Sequence, residues 1–160
     1  MKYTNILYVY TDGGSSGNSA TQGRAGTGAL IYDEKGIEIA RKSEYIGAAT
    51  NNVAEYKALL SGITLALTLK PRQILCFTDS ELIVKQINGE YRCKDMGLRV
   101  LLAEFDNLSR KAPISVQHLA REDERLKTVH KLVEKVIILG QRQEETKRKQ
   151  KQEKQKTFGW

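Results

Sequence analysis

The sequence predicts an α/β fold in which helices pack on a mixed β-sheet. Two features of the pattern predict it. Short runs of β-type residues come first and are joined by turn residues, the mark of antiparallel hairpins. Later runs are separated by segments whose apolar residues recur at helical spacing, the mark of crossover connections between sheet strands. At 160 residues the chain is long enough to bury a core and is most simply one domain.

The elements follow in order. Residues 6–10 form an apolar run, a strand that stops at the turn Thr11-Asp12-Gly13-Gly14. A loop rich in glycine and serine continues to about Gly26. Residues 27–33 and 37–46 then read as two strands joined by a hairpin at Asp33-Glu34-Lys35-Gly36. From Asn52 to Leu69 the apolar positions Val53, Tyr56, Leu59, Leu60, Ile63 and Leu67 have helical spacing, and Pro71 helps stop that helix. Residues 74–78 are a strand, 80–87 a short helix, 96–108 a further helix, and 114–119 a final, alternating strand. Val129, Leu132, Val133, Val136 and Ile137 mark one face of a last helix.

Charge narrows the partners. Lys and Arg number 26 against 19 Asp and Glu, a formal charge of +7, which favours ligands that carry phosphate. The tail, residues 141–160, holds seven of the basic residues and only three of the acidic ones. The division expected is therefore a catalytic domain over residues 1–140 and a basic tail over 141–160. That tail is either a charged helical extension or a disordered segment. Cys76 and Cys93 form no CxxC or Cys/His cluster, so a reduced, cytoplasmic setting is expected. No signal peptide is read at the N-terminus, and no run approaches the roughly 20 apolar residues of a membrane span.

Three acids stand where strands end or helices begin, and each has a structural reading of its own. Asp12 precedes Gly13-Gly14 and suits a turn. Glu55 lies three residues after Asn52, a capping-box pattern. Asp79 ends a strand and precedes a helix, an N-cap position. Their combination points elsewhere. If the strands ending in Asp12 and Asp79 are neighbours, both carboxylates project into the crevice where open α/β sheets bind ligands. The first turn of the helix can bring Glu55 to the same place. With no lysine or arginine beside them, three carboxylates repel one another unless a cation neutralises them. An oxygen-only set suits Mg²⁺, which also accepts substrate phosphate oxygens.

At this point the sequence resembles the type 1 ribonuclease H family. The segments that carry the likeness are Tyr10-Thr11-Asp12-Gly13-Gly14-Ser15 with Gly17-Asn18, then Gly26-Thr27-Gly28, Thr50-Asn51-Asn52-Val53-Ala54-Glu55-Tyr56, Thr78-Asp79-Ser80, and Val116-Gln117-His118. They keep the family's order and spacing over residues 5–138. The resemblance implies a ribonuclease H-like fold, a five-stranded mixed sheet with helices on both faces. It also implies hydrolysis of the RNA strand of RNA–DNA hybrids, such as primers and R-loops, leaving 5′-phosphate and 3′-hydroxyl ends. Two Mg²⁺ or Mn²⁺ ions are implied at an Asp-Glu-Asp-Asp site whose first three positions are Asp12, Glu55 and Asp79. The expected partner is the hybrid, with no membrane, and the chain is expected to be a monomer.

The fourth position departs from the family. The apolar phase of the last helix places His130 where the family has aspartate; a gapless alignment places Thr128 there, and Glu122, Asp123 and Glu124 are further alternatives. A neutral imidazole can bind a metal but removes one negative charge and offers nitrogen. This implies weaker Mg²⁺ binding and a relative preference for Mn²⁺. His118 falls near a family histidine that assists proton movement or product release. For the substrate, the resemblance implies that Gly14, Ser16 and Asn18 meet RNA 2′-hydroxyls. Asn51 and Asn52 would touch the hybrid's minor groove and Thr50 a DNA phosphate. The rival reading is a hybrid-binding module that lost its chemistry with the fourth carboxylate.

Overall fold

The structure is a computed structural model and describes residues 6–17 and 21–159. Its elements are β1 (Ile6–Ser15), β2 (Gly23–Tyr32), β3 (Glu38–Ala49), α1 (Asn51–Thr68), β4 (Gln73–Thr78), α2 (Glu81–Ile87), α3 (Met96–Ser109), β5 (Ile114–His118) and α4 (Glu124–Thr157). The five strands form one sheet in the order β3-β2-β1-β4-β5. β1 and β3 both run antiparallel to β2, β4 is parallel to β1, and β5 is parallel to β4. The expected mixed sheet is present, with its hairpins first and its crossovers after.

Alternation along β1 sorts the two layers. Successive side chains point to opposite faces of a strand. Leu7 and Val9 join the core under α1 and α3, with Tyr56, Leu59, Ile63 and Phe105. Tyr10 joins a separate cluster with Leu30, Leu126, Val129 and Val133 under α4. Helices therefore cover both faces, α1 to α3 on one and α4 on the other. Between β2 and β3, Asp33 makes the turn: its carboxylate accepts from the Lys35 and Ile37 amides at 2.9 and 3.0 Å, and Gly36 takes φ +78°.

The strand ends correct the sequence reading. β1 does not stop at residue 10 but continues through Asp12-Gly13-Gly14, pairing Asp12 with Gly28 and Gly14 with Gly26. β2 likewise begins at Gly23 rather than at 27. The glycines read as a loop are places of close packing. A Cβ on Gly13 would overlap the Ala54 carbonyl of α1, and one on Gly28 would lie 3.0 Å from Val129 and Val133 of α4. The caps differ too. Thr50, not Asn52, caps α1 by accepting from the Val53 amide, and Ser80, not Asp79, caps α2. Neither Glu55 nor Asp79 is consumed by the local role its sequence context offers.

α4 runs unbroken from Glu124 to Thr157, so the stretch past Gly140 is helix. It passes over Gly28, then Gly26, then seats Gly140 on the ring of Tyr45. Among the described residues no helix is long and apolar enough to cross a membrane. Cys76 and Cys93 are free and buried.

Gly13 is where α1 comes nearest the sheet, and the obstruction there is backbone. Gly13→Ala should destabilise the protein by about 1–3 kcal/mol, the usual range for overpacking a filled interior. Denaturant unfolding of the two proteins measures it.

Candidate active site

β1 extends past its parallel neighbour. Its pairing with β4 ends at Tyr10 and Phe77, while its pairing with β2 continues to Ser15. The β4-facing side of β1 beyond Tyr10 is thus left open, and Asp12 sits there. Asp79 follows directly on the end of β4. Glu55, in the first turns of α1, reaches the same gap because Gly13 lets the helix approach, and the nearby Gly13 amide favours its charged form. Asp12, Glu55 and Asp79 each bring a carboxylate oxygen within 4.8 Å of the others. Positions 12, 55 and 79 meet at one sheet edge.

Burial makes this meeting costly. Asp12 and Glu55 are 7% and 6% exposed, and one Glu55 oxygen, Oε2, has no hydrogen-bond partner. Burial pushes Glu55 well above the ordinary carboxylate pKa, and the charges of Asp12 and Asp79 add to it. Asp12 is raised as well, first by burial and against the opposing hydrogen bond of His130. An orphaned buried carboxylate oxygen facing two more carboxylates is a donor set that fits a hard divalent cation. Those three residues are the ones that would hold it.

Two basic side chains already lean on the cluster. Arg121 Nε lies 3.1 Å from Asp79 Oδ2, with an arginine side chain that is 80% exposed. This corrects the expectation that no arginine adjoins the acids: Arg121 comes from the β5–α4 connection, 42 residues along the chain from Asp79. His130 Nδ1 lies 3.0 Å from Asp12 Oδ2, and its Nε2 lies 3.0 Å from Glu134. Burial pulls the imidazole pKa down, but the hydrogen bonds and charges of Asp12 and Glu134 outweigh it and leave the value above the ordinary one.

The other residues near position 130 have different partners. Thr128 Oγ1 donates to the Glu124 carbonyl. Asp123 caps α4, accepting from the Arg125 and Leu126 amides. Glu122 and His118 line an open depression beside Asp79 and Arg121, with His118 Nε2 4.0 Å from Glu81. His118 borders the carboxylate cluster without touching it.

The remaining predicted residues that the structure describes lie along the same edge. Ser16 Oγ accepts from the Arg24 amide at 2.9 Å, and Gly14 packs beneath Val133. Thr50 caps α1, and Asn51 and Asn52, half-buried, open it. Ser15 Oγ donates to the Ala49 carbonyl at 2.7 Å, tying the end of β1 to the chain that enters α1. Asn18 lies outside the described residues. Sequence reasoning missed Arg121 and Glu134. The second sits four residues after His130, a helical neighbour that spacing alone reveals; nothing in the sequence around Arg121 marks it.

Known proteins resemble this chain in sequence and in fold. The Reverse transcriptase-like family model matches residues 11–136. A type 1 ribonuclease H isolated from compost, solved in complex with an RNA/DNA hybrid, superposes with a TM-score of 0.76 at 31% identity, over 84% of this chain and 98% of that one. The chain belongs to the type 1 ribonuclease H family. The ribonuclease HI of Halobacterium salinarum is 34% identical over 110 residues, covering 64% of this chain and 54% of that protein. A bifunctional protein of Mycobacterium tuberculosis is 35% identical over 104 residues, covering 64% of this chain and 28% of that protein. The chain thus spans about half or less of the length of these curated relatives, and the ribonuclease H fold is what it shares with them.

The raised pKa of Glu55 has a thermodynamic sign. A carboxyl group that holds its proton more tightly when folded favours folding at low pH, and that contribution is lost as pH rises from the ordinary carboxylate value through the folded one. In chelator, Glu55→Gln should therefore be more stable than the parent at pH 8, with the gap closing as pH falls toward 4. Added Mg²⁺ or Mn²⁺ should raise the melting temperature of the parent more than that of the variant. Thermal melts across pH, with and without the ion, measure both.

Proposed function

We propose that this chain is a divalent-metal-dependent endonuclease that hydrolyses the RNA strand of RNA–DNA hybrids, leaving 5′-phosphate and 3′-hydroxyl ends. One observation carries the reading: three carboxylates, two buried and one half-buried, converge with an oxygen of Glu55 left unpaired. The likeness to an enzyme solved on an RNA/DNA hybrid supports the choice of substrate. Asp12, Glu55 and Asp79 are the proposed ligands of Mg²⁺ or Mn²⁺. When bound, two such ions supply an activated attacking water and stabilise the departing 3′ oxygen.

The chain's own groups do the rest. Glu55 lies beside the Gly13 amide, which favours its charged form, and its Oε2 is buried without a partner. His130 holds Asp12 in orientation through Nδ1 and is itself braced by Glu134. Arg121, exposed on the rim, offers a guanidinium to the substrate's phosphate, a geometry arginine matches well. The small polar residues retain capacity for the nucleic acid. Thr50 and Ser16 use their oxygens as acceptors for the Val53 and Arg24 amides, and a hydroxyl in that role still has a proton to donate. Thr50 would give it to a DNA phosphate, and Ser16, with Gly14 and Asn18, would meet RNA 2′-hydroxyls. Asn51 and Asn52 would read the minor groove. His118 borders the site where a leaving group departs and is proposed to move protons there.

A hybrid labelled on its RNA strand should shorten on adding Mg²⁺ or Mn²⁺. Asp79→Asn should slow this by a factor of roughly 100 or more, the scale on which losing one charge-stabilising group acts. Binding without cleavage by the parent in either metal would favour the non-catalytic module instead. The histidine at position 130 makes a second expectation. It supplies nitrogen and no negative charge beside Asp12, so activity in Mn²⁺ should exceed that in Mg²⁺, and His130→Asp should move the ratio toward Mg²⁺. Identical metal profiles for parent and variant would remove His130 from the metal's surroundings.

A further inference from the structure

The last third of α4 is exposed throughout among the described residues, yet its faces are not equivalent. Over its first half the helix buries Leu126, Val129, Val133 and Gly140 against the sheet. Residues seven apart recur on nearly one face of a helix, drifting about 20° each time. That face therefore continues from Leu126, Val133 and Gly140 to Lys147 and Lys154, with Lys151 beside them. All three lysines are exposed, and they make no ion pair among the described residues. The opposite face carries Arg142, Lys149 and Lys156, also seven apart, and it is there that acids intervene: Lys149 pairs with Glu145 at 3.1 Å. On the sheet-side face the one acid is Glu144, already bound to Arg24 at 3.4 Å.

The direction of the helix gives the lysine row its place. α4 passes Asp12 at His130, then Gly26 at Val136 and Ile137, then Arg24 at Glu144. It travels the way β1 travels, from Asp12 toward Ser15, since β2 is antiparallel to β1. The extension leaves the domain by the edge that carries Ser16, Thr50 and Asn51. At about 1.5 Å per residue, Lys147 lies about 25 Å beyond His130 along the helix and Lys154 about 36 Å. Successive base pairs are about 3.4 Å apart. On a duplex running alongside α4, the row would begin and end about seven and eleven base pairs from the carboxylates.

We propose that Lys147, Lys151 and Lys154 form a backbone-binding arm for a nucleic-acid duplex whose scissile phosphate is at the carboxylate cluster. The inference rests on the hybrid-nuclease reading for the position of that duplex. Spaced four and three residues apart, the lysines follow one another at about 4.5–6 Å along the helix. Contacts of this kind carry affinity without sequence information and depend steeply on salt.

The test is the salt dependence of binding to an RNA–DNA hybrid of about 25 base pairs, a length that reaches the whole row. It is measured for the full chain, for the triple variant Lys147→Gln, Lys151→Gln, Lys154→Gln, and for a charge-matched control, Arg142→Gln, Lys149→Gln, Lys156→Gln. Each phosphate contact removed lowers the slope of log affinity against log salt by about one. The first triple should lose about three in slope and raise KM with kcat little changed, while the control should keep most of the slope. Equal slopes in all three proteins, or equal losses in both triples, would overturn the arm. Cleavage by the parent with an unaffected slope removes the arm and leaves the nuclease. Loss of slope in the first triple alone, in a parent that never cleaves, removes the nuclease and leaves the arm. Melting temperatures within about 2 °C of the parent show that the six exposed positions do not alter the fold, as expected for surface substitutions.

Discussion

Mutual repulsion among Asp12, Glu55 and Asp79 is the constraint around which this fold is arranged. Two full charges within 4.8 Å of each other repel by about 3.5 kcal/mol or more even at an effective dielectric constant of about 20. Burial of Asp12 and Glu55 adds a cost for stripping water from each. A domain of ordinary stability holds roughly 5–15 kcal/mol in all. The rest of the structure has to impose this arrangement, because the three side chains would not choose it. It does so with backbone: β1 outruns β4, α1 is pressed against Gly13, and β4 ends one residue before Asp79.

The glycines of β1 and β2 serve both layers at once. Gly13 admits α1 from one face, while Gly14, Gly26 and Gly28 admit α4 from the other. Glu55 therefore arrives from one side of the sheet and His130 from the other, and both end near Asp12. In strands that carried ordinary side chains at these positions, the two helices would stand further off and their groups would not reach a common ion. The same close seating continues to Gly140 on Tyr45, which fixes the line along which α4 leaves the domain.

This double use of glycine is also why part of the fold was hard to read from sequence. Helical and strand periodicity located nearly every element, and the order of hairpins and crossovers gave the mixed sheet. Glycine, though, is depleted in strands and enriched in loops, so residues 11–26 read as turn and loop where the fold has the end of β1 and the start of β2. The packing that makes glycine necessary comes from residues 54, 129 and 133, far along the chain. Asp12, Glu55 and Asp79 were legible as a set because strand ends and helix starts in α/β sheets gather at one edge. Their individual caps were misassigned to Asn52 and Asp79, since Thr50 and Ser80 stand one or two positions earlier or later with equal chemistry. Arg121 was not legible at all. Its partner is set by where β5 ends beside β4, which no local pattern encodes.

Arg121 and His130 together change how the site's charge is balanced. A fourth carboxylate would add to the repulsion and to the pull on a cation in equal measure. At position 130 this chain instead has a group that hydrogen-bonds Asp12 and takes part of its charge, while Arg121 does the same for Asp79. Glu55, the most buried of the three, is left with neither. Each of these neighbours lowers the cost of the folded protein before any ion arrives, and each then competes with the ion for an oxygen. Glu55 has no such competitor, so among the three it is the residue whose charge depends most on a bound cation. Two of the three acids are thus poised between a side chain and an ion, and the exposed Arg121 is the partner freer to leave. Folding without an ion and binding one are in this way separated between residues: Asp12 and Asp79 make the empty site tolerable, and Glu55 makes the filled one favourable.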